Sequence, residues 1–445
     1  MNLHNLDPVV SATLMKKICW RLTPLMVIMY LVSSLDRANI GYAALAMNKD
    51  MGMTVADFGM AASIFYLGFI LFQTPSNLAL QRFGARRWIA TILLAWGVTA
   101  TMTSIASDKY WLYVVRFFLG IFEAGLLPGM VLYLALWLPS RNRVWILAML
   151  TAAMPMSAVV GAPVSTALME HASLFGLSGW RSMLFLEGLP AILLSCFVYY
   201  YLPDSPRTAK WISSAEHAEL QTALDVEASR RDPGASYGTM WSAMLNARVW
   251  ALGFSYFGIN AGIVILLYFL PQVIKTFEIT FGVKYSIFQV GMIAAIPFGI
   301  AVCTMLTWGR FVSRRGIAAW HVACPLAVCA GAIGGALLMP NPILVLAAFA
   351  VAASACFSAM APFWQLPIRF LSGKTAAAGV GMISSLGVSS GCVLPYIIGW
   401  TKDTTGSFSP AFLGIAAVML AASLVVLALE RSVRQVKLTT LSGQV

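Results

Sequence analysis

The sequence predicts an all-α membrane protein in which 12 transmembrane helices form two pseudo-symmetric six-helix bundles. Of its 445 residues, 60% are hydrophobic and only 10% are charged, whereas soluble domains carry about 25% charged residues. Twelve apolar segments are each long enough to cross a hydrocarbon core of about 30 Å as a helix. Features of the first six segments also recur in the last six.

The twelve apolar segments follow one another with short polar connections, apart from one long interval in the middle. A helix needs about 20 residues to cross a bilayer, and these segments meet that requirement. They cover residues 22–46, 56–80, 87–106, 110–136, 144–168, 182–202, 248–270, 287–308, 320–339, 342–366, 376–400 and 410–429. No small-residue cleavage site follows the first segment, so we expect it to remain in the mature protein.

The long polar interval, residues 203–246, divides six apolar segments from six. It is rich in charged residues and contains a helix-like stretch from Ser213 to Arg230. Serines at the start of this stretch are of the type that caps helix N-termini. The sequence therefore predicts an N-terminal bundle at 1–202, a cytoplasmic linker at 203–246 and a C-terminal bundle at 247–445.

Two sequence patterns recur between the halves. The stretch 82–87 (RFGARR) resembles the stretch 310–315 (RFVSRR), at an offset of 228 (310 minus 82). Ser157 and Pro163 in the fifth segment are matched by Ser389 and Pro395 in the eleventh, at an offset of 232 (395 minus 163). Two matches at nearly equal offsets indicate internal duplication, and duplicated transporters bind substrate near the bilayer midplane between their repeats.

The distribution of Lys and Arg predicts the orientation of the chain. With both termini placed in the cytoplasm, 21 Lys and Arg flanking the segments lie on the cytoplasmic side and six on the opposite side. This bias follows the positive-inside rule and predicts a multi-pass membrane protein with both termini in the cytoplasm. The net charge of +12 then reflects topology and contact with anionic lipid, and we expect no nucleic-acid partner.

Enzyme, metal and cofactor motifs find little support. The seven cysteines contain no CxxC pair, which argues against a zinc site or a disulfide framework. Only four histidines occur, and no HExxH, GxSxG or P-loop pattern is present. We therefore expect a non-enzymatic protein without a cofactor or bound metal.

Charged residues inside the apolar segments are few, and they are the strongest functional signal. They are Asp36, Arg37, Arg116 and Glu123, with Glu187 near the start of the sixth segment. An Asp or Arg near the centre of a membrane helix costs about 2.5–3.5 kcal/mol even on the lowest scales, so such residues usually face a bundle interior or an aqueous cavity. We interpret the first four as a functional cluster and Glu187 as a structural anchor.

The chemistry of these four residues suits the binding of an anion together with protons. Arg37 and Arg116 can clamp a carboxylate through charge-assisted hydrogen bonds. Asp36 and Glu123 are candidates for proton binding, because burial and a neighbouring arginine act in opposite directions on a carboxyl group. The alternative is that Asp36 pairs with Arg37 or Arg116, and Glu123 with another helix, as structural ion pairs.

The second half offers neutral polar and aromatic groups in place of charges. The spacing of Asn260, Tyr268 and Gln272 places these residues on one helix face. An aromatic wall from the second segment, especially Phe65 and Tyr66, would complete the site, although aromatic residues at this spacing also serve as ordinary core. The predicted substrate contacts outside the charged cluster are Tyr66, Asn260, Tyr268, Gln272, Trp364, Gln365 and Ser384.

Four stretches resemble a known family of transporters, and together they extend over much of the chain. They are residues 35–41 (LDRANIG), 75–88 (PSNLALQRFGARRW), 116–129 (RFFLGIFEAGLLPG) and 185–190 (FLEGLP). The chain resembles the major facilitator superfamily, and within it the anion:cation symporters, which include tartrate, hexonate, phthalate and hydroxyphenylacetate permeases. The resemblance implies a twelve-helix fold in an inner membrane, proton-coupled uptake of organic anions, anion binding by Arg37 and Arg116, and protonation of Asp36 and Glu123.

The sequence also departs from the family pattern. Asn77 and Gln81 stand where the general superfamily loop motif has Gly and Asp, and Ser313 replaces an Asp expected in the second half. Ser384 and Val388 occupy positions where many family members have Asn. Losing two amides weakens the case for a hydroxyl-rich substrate, which needs many donors and acceptors.

These observations predict a proton-coupled symporter that imports a small organic anion by alternating access. The substrate is a carboxylate, either aromatic or a sugar acid, with a lean toward a less hydroxylated one. Protons and membrane lipid are the other expected partners, and the protein is expected to be a monomer. Two alternatives remain: a proton-coupled antiporter that exports a metabolite or drug, and, from a different class, a transporter-like membrane sensor.

Overall fold

Helices make up the described part of the chain. The computed structural model describes residues 10–229, 244–370 and 375–442, and no strand occurs among them. The first half contains α1 (Ala12–Asp50), α2 (Val55–Phe83), α3 (Ala85–Thr103), α4 (Lys109–Glu123), α5 (Leu126–Trp137), α6 (Ser140–His171) and α7 (Gly179–Tyr201). Helix α8 (Ser214–Ser229) follows. The second half contains α9 (Ala247–Val264), α10 (Leu270–Phe281), α11 (Ile287–Arg315), α12 (Trp320–Ala336), α13 (Pro342–Phe363), α14 (Gln365–Phe370), α15 (Thr375–Thr405) and α16 (Ser409–Ser442).

The predicted membrane segments coincide with these helices. Among the described residues, ten helical stretches are long and apolar enough to cross a membrane. The two remaining predicted segments correspond to α3 and to the shorter apolar helix α12. Two arginines in the first turn of α3, Arg86 and Arg87, account for its lower hydropathy. The all-helical prediction is therefore confirmed.

The fourth predicted segment is two helices. Helix α4 ends at Glu123 and α5 begins at Leu126, with Ala124 and Gly125 between them. Because the break directly follows Glu123, this carboxylate lies at the end of a helix inside the protein. Sequence periodicity alone gives no sign of the break.

The seventh predicted segment is longer than expected. Its predicted end is residue 270, before Pro271, but the helix continues to Phe281. A π-helical turn, Ile265–Phe269, joins α9 to α10 and places Pro271 at the start of the new helix. A proline is tolerated in the first turn because no intrahelical partner is lost there. Such π-turns are frequent at functional sites, and this one contains Tyr268.

The helix ends reveal the internal repeat more precisely than the sequence does. Thr54 and Ser286 cap α2 and α11 through the same reciprocal arrangement with the residue three positions later, which satisfies free backbone N–H groups. Both helices end at a glycine with positive φ, Gly84 (85°) and Gly316 (78°), a conformation that disfavours other residues. Both pairs share an offset of 232 (286 minus 54, 316 minus 84), so the arginine motifs, at an offset of 228, are shifted by about one helical turn from the structural register.

The two halves meet through two equivalent helix pairs, α2 with α15 and α6 with α11. Glycines allow the backbones to touch. A Cβ on Gly59 would lie 2.2 Å from the carbonyl oxygen of Pro395, and one on Gly291 would lie 2.6 Å from that of Ala162. Small residues at such crossings allow close helix packing in membranes.

Two carboxylates also cross between the halves, at the end of the molecule opposite the termini. The Asp403 carboxylate accepts from the backbone N–H of Val55 at 3.1 Å and of Ala56 at 2.7 Å, at the start of α2. The Glu170 carboxylate accepts from the backbone N–H of Phe288 at 2.7 Å, at the start of α11. We call these contacts the cross-half caps. The offset between the two carboxylates, 233 (403 minus 170), is within one position of the offset between the helix ends, so the two caps are related by the internal repeat.

Helix α8 is attached to the first half. The Lys17 ammonium contacts the Glu216 carboxylate at 2.8 Å. Trp211, just before α8, stacks on Trp137 with ring centroids 5.3 Å apart and lies 5.0 Å beneath the Arg21 guanidinium. The part of the polar interval that contains Trp211 and Glu216 is therefore packed against the start of α1 and the end of α5.

Candidate functional site

The candidate site forms where α1, α2 and α4 meet the π-turn of the second half. Close backbone packing brings these elements together. A Cβ on Gly120 of α4 would lie 2.0 Å from the carbonyl oxygen of Phe65 in α2, and one on Gly41 of α1 would lie 2.6 Å from that of Leu267 in the π-turn. Six predicted residues lie in this region: Asp36, Arg37, Tyr66, Arg116, Glu123 and Tyr268.

Arg37 and Glu123 form a buried ion pair between α1 and α4. The Nε of Arg37 lies 2.6 Å from Oε1 of Glu123. The Ser33 hydroxyl, one turn before Arg37, donates to the same oxygen. Glu123 is fully buried, and its Oε2 has no hydrogen-bond partner within the described ranges. One carboxylate oxygen is therefore held by two donors while the other is free to accept a proton.

Asp36 points away from its neighbour Arg37 and contacts α3. Its Oδ2 accepts from the indole N–H of Trp96 at 2.9 Å, and its Oδ1 accepts from the side-chain amide of Asn39 at 3.2 Å. In the described part of the chain, no arginine lies within ion-pair distance of Asp36. The predicted alternative of a direct ion pair with Arg37 or Arg116 is therefore not what this conformation contains.

Arg116 is buried, and part of its guanidinium makes no hydrogen bond to the described residues. It is 1% exposed, and its guanidinium lies 4.6 Å from the centre of the Phe65 ring. Its Nε makes one long contact, 3.4 Å, to the Ala61 carbonyl oxygen, and its Nη2 has no partner among the described residues. Because buried donors are nearly always paired, free guanidinium N–H groups in a membrane protein point to a ligand-binding role. Asp36 and Tyr268 lie within electrostatic range of this guanidinium.

Tyr66 and Tyr268 join the two halves beside the charged cluster of Asp36, Arg37, Arg116 and Glu123. Their hydroxyl oxygens are 3.1 Å apart and their rings meet edge to face at 6.3 Å. Tyr268 is fully buried. The side chain of Gln272 donates to the backbone carbonyl of Tyr268 at 3.1 Å, so this amide binds its own helix in the present conformation.

The other predicted contacts of the second half lie around Tyr256. The Asn260 amide donates to the Tyr256 carbonyl oxygen at 3.0 Å, and the Trp364 ring lies 4.8 Å from the Tyr256 ring. Gln365 is exposed and Ser384 is half-buried. The structure gives neither of these two a contact with the charged cluster, so their roles stay predictions.

Sequence reasoning missed several residues that complete the site. Tyr256 lies within electrostatic range of Arg37 and precedes Asn260 by four residues, a spacing that places both on one helix face. Tyr30 also lies near Arg37 and precedes it by seven residues, about two turns earlier. Helical spacing from the chosen residues was the signal for both. Trp96, the donor to Asp36, gave no such signal because it lies on another helix.

The charged cluster is balanced in this conformation. Two arginines and two carboxylates give no net charge when all four are ionised, and three of the four are at most 4% exposed. Burying an unbalanced charge is costly. Any anion that enters this cluster therefore has to be compensated by a cation or a proton.

A sequence model of the Major Facilitator Superfamily matches residues 26–395. The chain belongs to the Major Facilitator Superfamily. Its relatives in this superfamily are membrane transporters and not enzymes, which confirms the expectation that the protein is not an enzyme.

Two relatives in the superfamily extend over almost the whole chain. A candidate tartrate transporter of Agrobacterium vitis is 38% identical over 422 residues, which are 95% of this chain and 92% of the relative. The candidate metabolite transport protein NicT of Pseudomonas putida is 34% identical over 421 residues, 94% of this chain and 95% of the relative. These similarities are consistent with the predicted anion:cation symporter branch.

Solved structures share the superfamily fold. The chain is similar to a D-xylose-proton symporter, with a TM-score of 0.70 at 17% identity, over 92% of this chain and 97% of that one. It is also similar to the inward-open xylose transporter XylE of E. coli, with a TM-score of 0.71 at 15% identity, over 92% of this chain and 95% of that one. At these identities the similarity concerns the fold alone.

Proposed function

We propose that this protein is a proton-coupled symporter that imports a small organic anion by alternating access. The observation that carries the proposal is the contrast between two buried arginines. The Arg116 guanidinium has N–H groups without a partner among the described residues, whereas Arg37 is held by Glu123. One arginine is ready to bind an anion. The other becomes available only when Glu123 releases it.

The binding step begins at Arg116. A carboxylate entering the cluster meets the free N–H groups of Arg116 first, and charge-assisted bonds of this kind are about twice as strong as neutral ones. It then competes with Glu123 for Arg37. Tyr66 and Tyr268 lie within reach of the same arginines, and their hydroxyls would bind further oxygens of the substrate.

Proton coupling follows from charge balance. Once an anionic substrate occupies Arg37, Glu123 would be a buried carboxylate without its cation, and such a group takes up a proton in preference to remaining charged. A second carboxylate on the substrate would require a second proton, for which Asp36 is the available position. Substrate and protons therefore enter together, and the cluster returns to neutrality.

Alternating access would come from rocking of two bundles, residues 1–202 and 247–445, joined by the linker 203–246. The cross-half caps and the two equivalent helix pairs support this motion, because each capping contact joins a helix of one half to a helix of the other. The excess of Lys and Arg at the end carrying the termini supports an inner-membrane protein with cytoplasmic termini.

The substrate we favour is a carboxylate with limited hydroxylation or with an aromatic ring. The aromatic side chains near the cluster favour a ring: Tyr66 and Tyr268 lie beside it, and Tyr256, which is within electrostatic range of Arg37, packs against Trp364. The similarity to candidate tartrate transporters makes a short dicarboxylate the second choice.

The test is uptake by purified protein in proteoliposomes, with labelled tartrate and labelled aromatic carboxylates, with and without an inward proton gradient. We expect gradient-driven accumulation, its loss in Arg116→Ala, and exchange without accumulation in Glu123→Gln. Arg310→Ala and Glu278→Gln remove charges at the protein surface and serve as matched controls. Equal uptake without a gradient, or full accumulation in both site variants, would contradict the proposal.

Proton-coupled export is the second candidate function. It is supported by a quinolone resistance transporter of Acinetobacter baumannii that is 35% identical over 91% of this chain and 92% of the relative. The same vesicles decide between the two. Antiport predicts substrate movement against the direction of the proton gradient, whereas symport predicts movement along it.

A further inference from the structure

Glu187 is a buried carboxyl group that the proposed transport cycle does not use. It lies on α7, is 6% exposed and belongs to the interior of the first half. Its Oε1 accepts from the Ser165 hydroxyl at 2.6 Å, while its Oε2 is buried without a hydrogen-bond partner in the described ranges. No described cationic side chain lies within ion-pair distance of it.

The helices packed against α7 supply no positive charge at this point. Helix α1 contributes the Asp36 carboxyl and the Tyr42 hydroxyl. Helix α6 contributes the neutral Ser165, and α3 packs Gly97 and Thr101 against the adjacent Gly188. The charged group recorded near Glu187 is thus another carboxyl, that of Asp36.

Asn39 connects the two carboxyl groups. Its side-chain amide donates to Oδ1 of Asp36 at 3.2 Å and lies near the Glu187 carboxyl, without a hydrogen bond to Glu187 Oε2 in this conformation. An amide nitrogen has two hydrogens and can serve two acceptors. Trp96 donates to Asp36 alone, so the indole stabilises the charged form of Asp36 and not that of Glu187.

We propose that Glu187 is a proton-binding site, linked to Asp36 through Asn39 and occupied by a proton in this conformation. A carboxylate buried without a cation is strongly disfavoured, and two neighbouring carboxyl groups do not both ionise readily. Because the charged cluster is already neutral, an ionised Glu187 would leave an uncompensated negative charge inside the first half. A proton on Glu187 removes this negative charge.

The link between the protonation of Glu187 and of Asp36 gives Glu187 a role in the transport cycle. This role rests on the proposed proton-coupled function. When Asp36 takes up a proton with the substrate, the repulsion that keeps Glu187 neutral disappears. Glu187 can then ionise, and its negative charge opposes release of the proton from Asp36. Gln cannot ionise, so Glu187→Gln should alter the pH dependence of uptake without preventing anion binding.

The first test concerns protonation and is independent of transport. Infrared difference spectra of purified protein, recorded across a neutral-to-alkaline pH step, report the C=O stretch of protonated carboxyl groups. We expect the wild type to show such a band and Glu187→Gln to lose it. Ser165→Ala should shift its frequency, because the hydroxyl no longer binds the carboxyl. An unchanged spectrum in both variants would overturn the proposal.

The second test separates this inference from the proposed function. Proteoliposomes containing Glu187→Gln should take up substrate at a maximal rate within about twofold of wild type, because Gln keeps the neutral state of the site. The pH profile should be displaced, because Gln cannot ionise when Asp36 is protonated. Ser195→Ala, which removes another buried hydroxyl contact on α7, is the control and should keep the wild-type profile. If the wild-type protein shows no proton-driven uptake, the symport proposal is refuted while the infrared result still stands. If Glu187→Gln keeps the wild-type pH profile of uptake, only the link between Glu187 and Asp36 is refuted.

Discussion

At the scale of single residues, the site is defined by which partner each charged group selects. Arg37 and Asp36 are adjacent in sequence, yet Arg37 binds Glu123 on α4 and Asp36 binds Trp96 on α3. Consecutive residues of a helix point about 100° apart, so neighbours in the chain face different helices. This divergence lets one segment of α1 serve both an anion-binding position and a proton-binding position.

The tyrosine pair gives a prediction at this scale. Tyr66→Phe removes the hydroxyl contact of 3.1 Å to Tyr268 while keeping the ring contacts. A neutral hydrogen bond contributes about 0.5–1.5 kcal/mol, so we expect thermal unfolding at a slightly lower temperature and uptake with a raised KM. The measurement is a double-mutant cycle of Tyr66→Phe and Tyr268→Phe, in which the unfolding temperature and the KM of uptake are compared. Strictly additive effects would show that the two hydroxyls do not act together.

At the scale of helices, the cross-half caps predict how the conformational equilibrium is set. Asp403→Ala or Glu170→Ala removes a side-chain acceptor from a helix N-terminus in the opposite half. A cap of this kind contributes about 1 kcal/mol, so each change should lower the population of the present conformation about fivefold relative to the opposite one. The two changes together should have a larger effect.

Distances between spin labels at Ser107 and Ile279, exposed positions near this end of the two halves, would measure that shift. Asp108→Ala is the matched control, since Asp108 caps α4 within its own half. The control should leave the distance distribution unchanged. Equal effects from Asp108→Ala and Asp403→Ala would mean that the caps act on local helix stability only.

The attachment of α8 predicts a pH dependence outside the membrane. The Lys17 ammonium, followed by the Ser213 backbone N–H, holds the pKa of Glu216 below its ordinary value. A lowered carboxyl pKa stabilises the attached state above the unfolded pKa, and this contribution is lost as pH falls through the folded pKa. The protection factors of the α8 amides, which correct for the slower intrinsic exchange at low pH, should therefore fall as pH drops below about 4.5, the ordinary value.

Glu216→Gln should abolish this acid-dependent loss of protection, because the side chain no longer titrates. Asp225→Asn changes an exposed carboxylate on the same helix that contacts only Gln221 in the described contacts and should keep the wild-type response. Identical acid responses in Glu216→Gln and wild type would assign the effect to another group.

At the scale of the whole molecule, neutrality of the charged cluster governs the coupling ratio. Each substrate carboxylate added to the buried cluster calls for one further proton, because an unbalanced buried charge is costly. We therefore expect a dicarboxylate to be transported with about one proton more than a monocarboxylate of similar size. Parallel measurement of labelled substrate and proton flux gives this ratio. An identical ratio of protons to substrate molecules for both compounds would show that coupling does not follow the charge balance of the cluster.

The division into bundles at 1–202 and 247–445, like the monomeric state, remains a prediction at this scale. Its support lies in the repeat, because the capping residues Thr54 and Ser286 and the helix-ending Gly84 and Gly316 share one common offset. Four helix ends at one offset are stronger support than the arginine motifs, which lie about one turn out of register with those ends.

The sequence by itself determined the features that depend on local pattern. Apolar segments of membrane length predicted the helices, and the scarcity of charge inside them singled out Asp36, Arg37, Arg116 and Glu123, because burying an ionised group in a membrane has to be justified by function. Motif similarity predicted the superfamily, which the matched family model and the relatives confirm.

Only the tertiary structure decided which groups meet. The contacts between Arg37 and Glu123, between Asp36 and Trp96, and between Tyr66 and Tyr268 join groups that are far apart in the chain. Helical periodicity fixes the face of a residue on its own helix, but the facing helix and its rotation depend on packing at glycines such as Gly41 and Gly120. The break after Glu123 and the π-turn at Tyr268 also depend on packing. Pro128 and Pro271 lie in the first turns of the helices that follow, but a proline alone does not fix where the preceding helix ends.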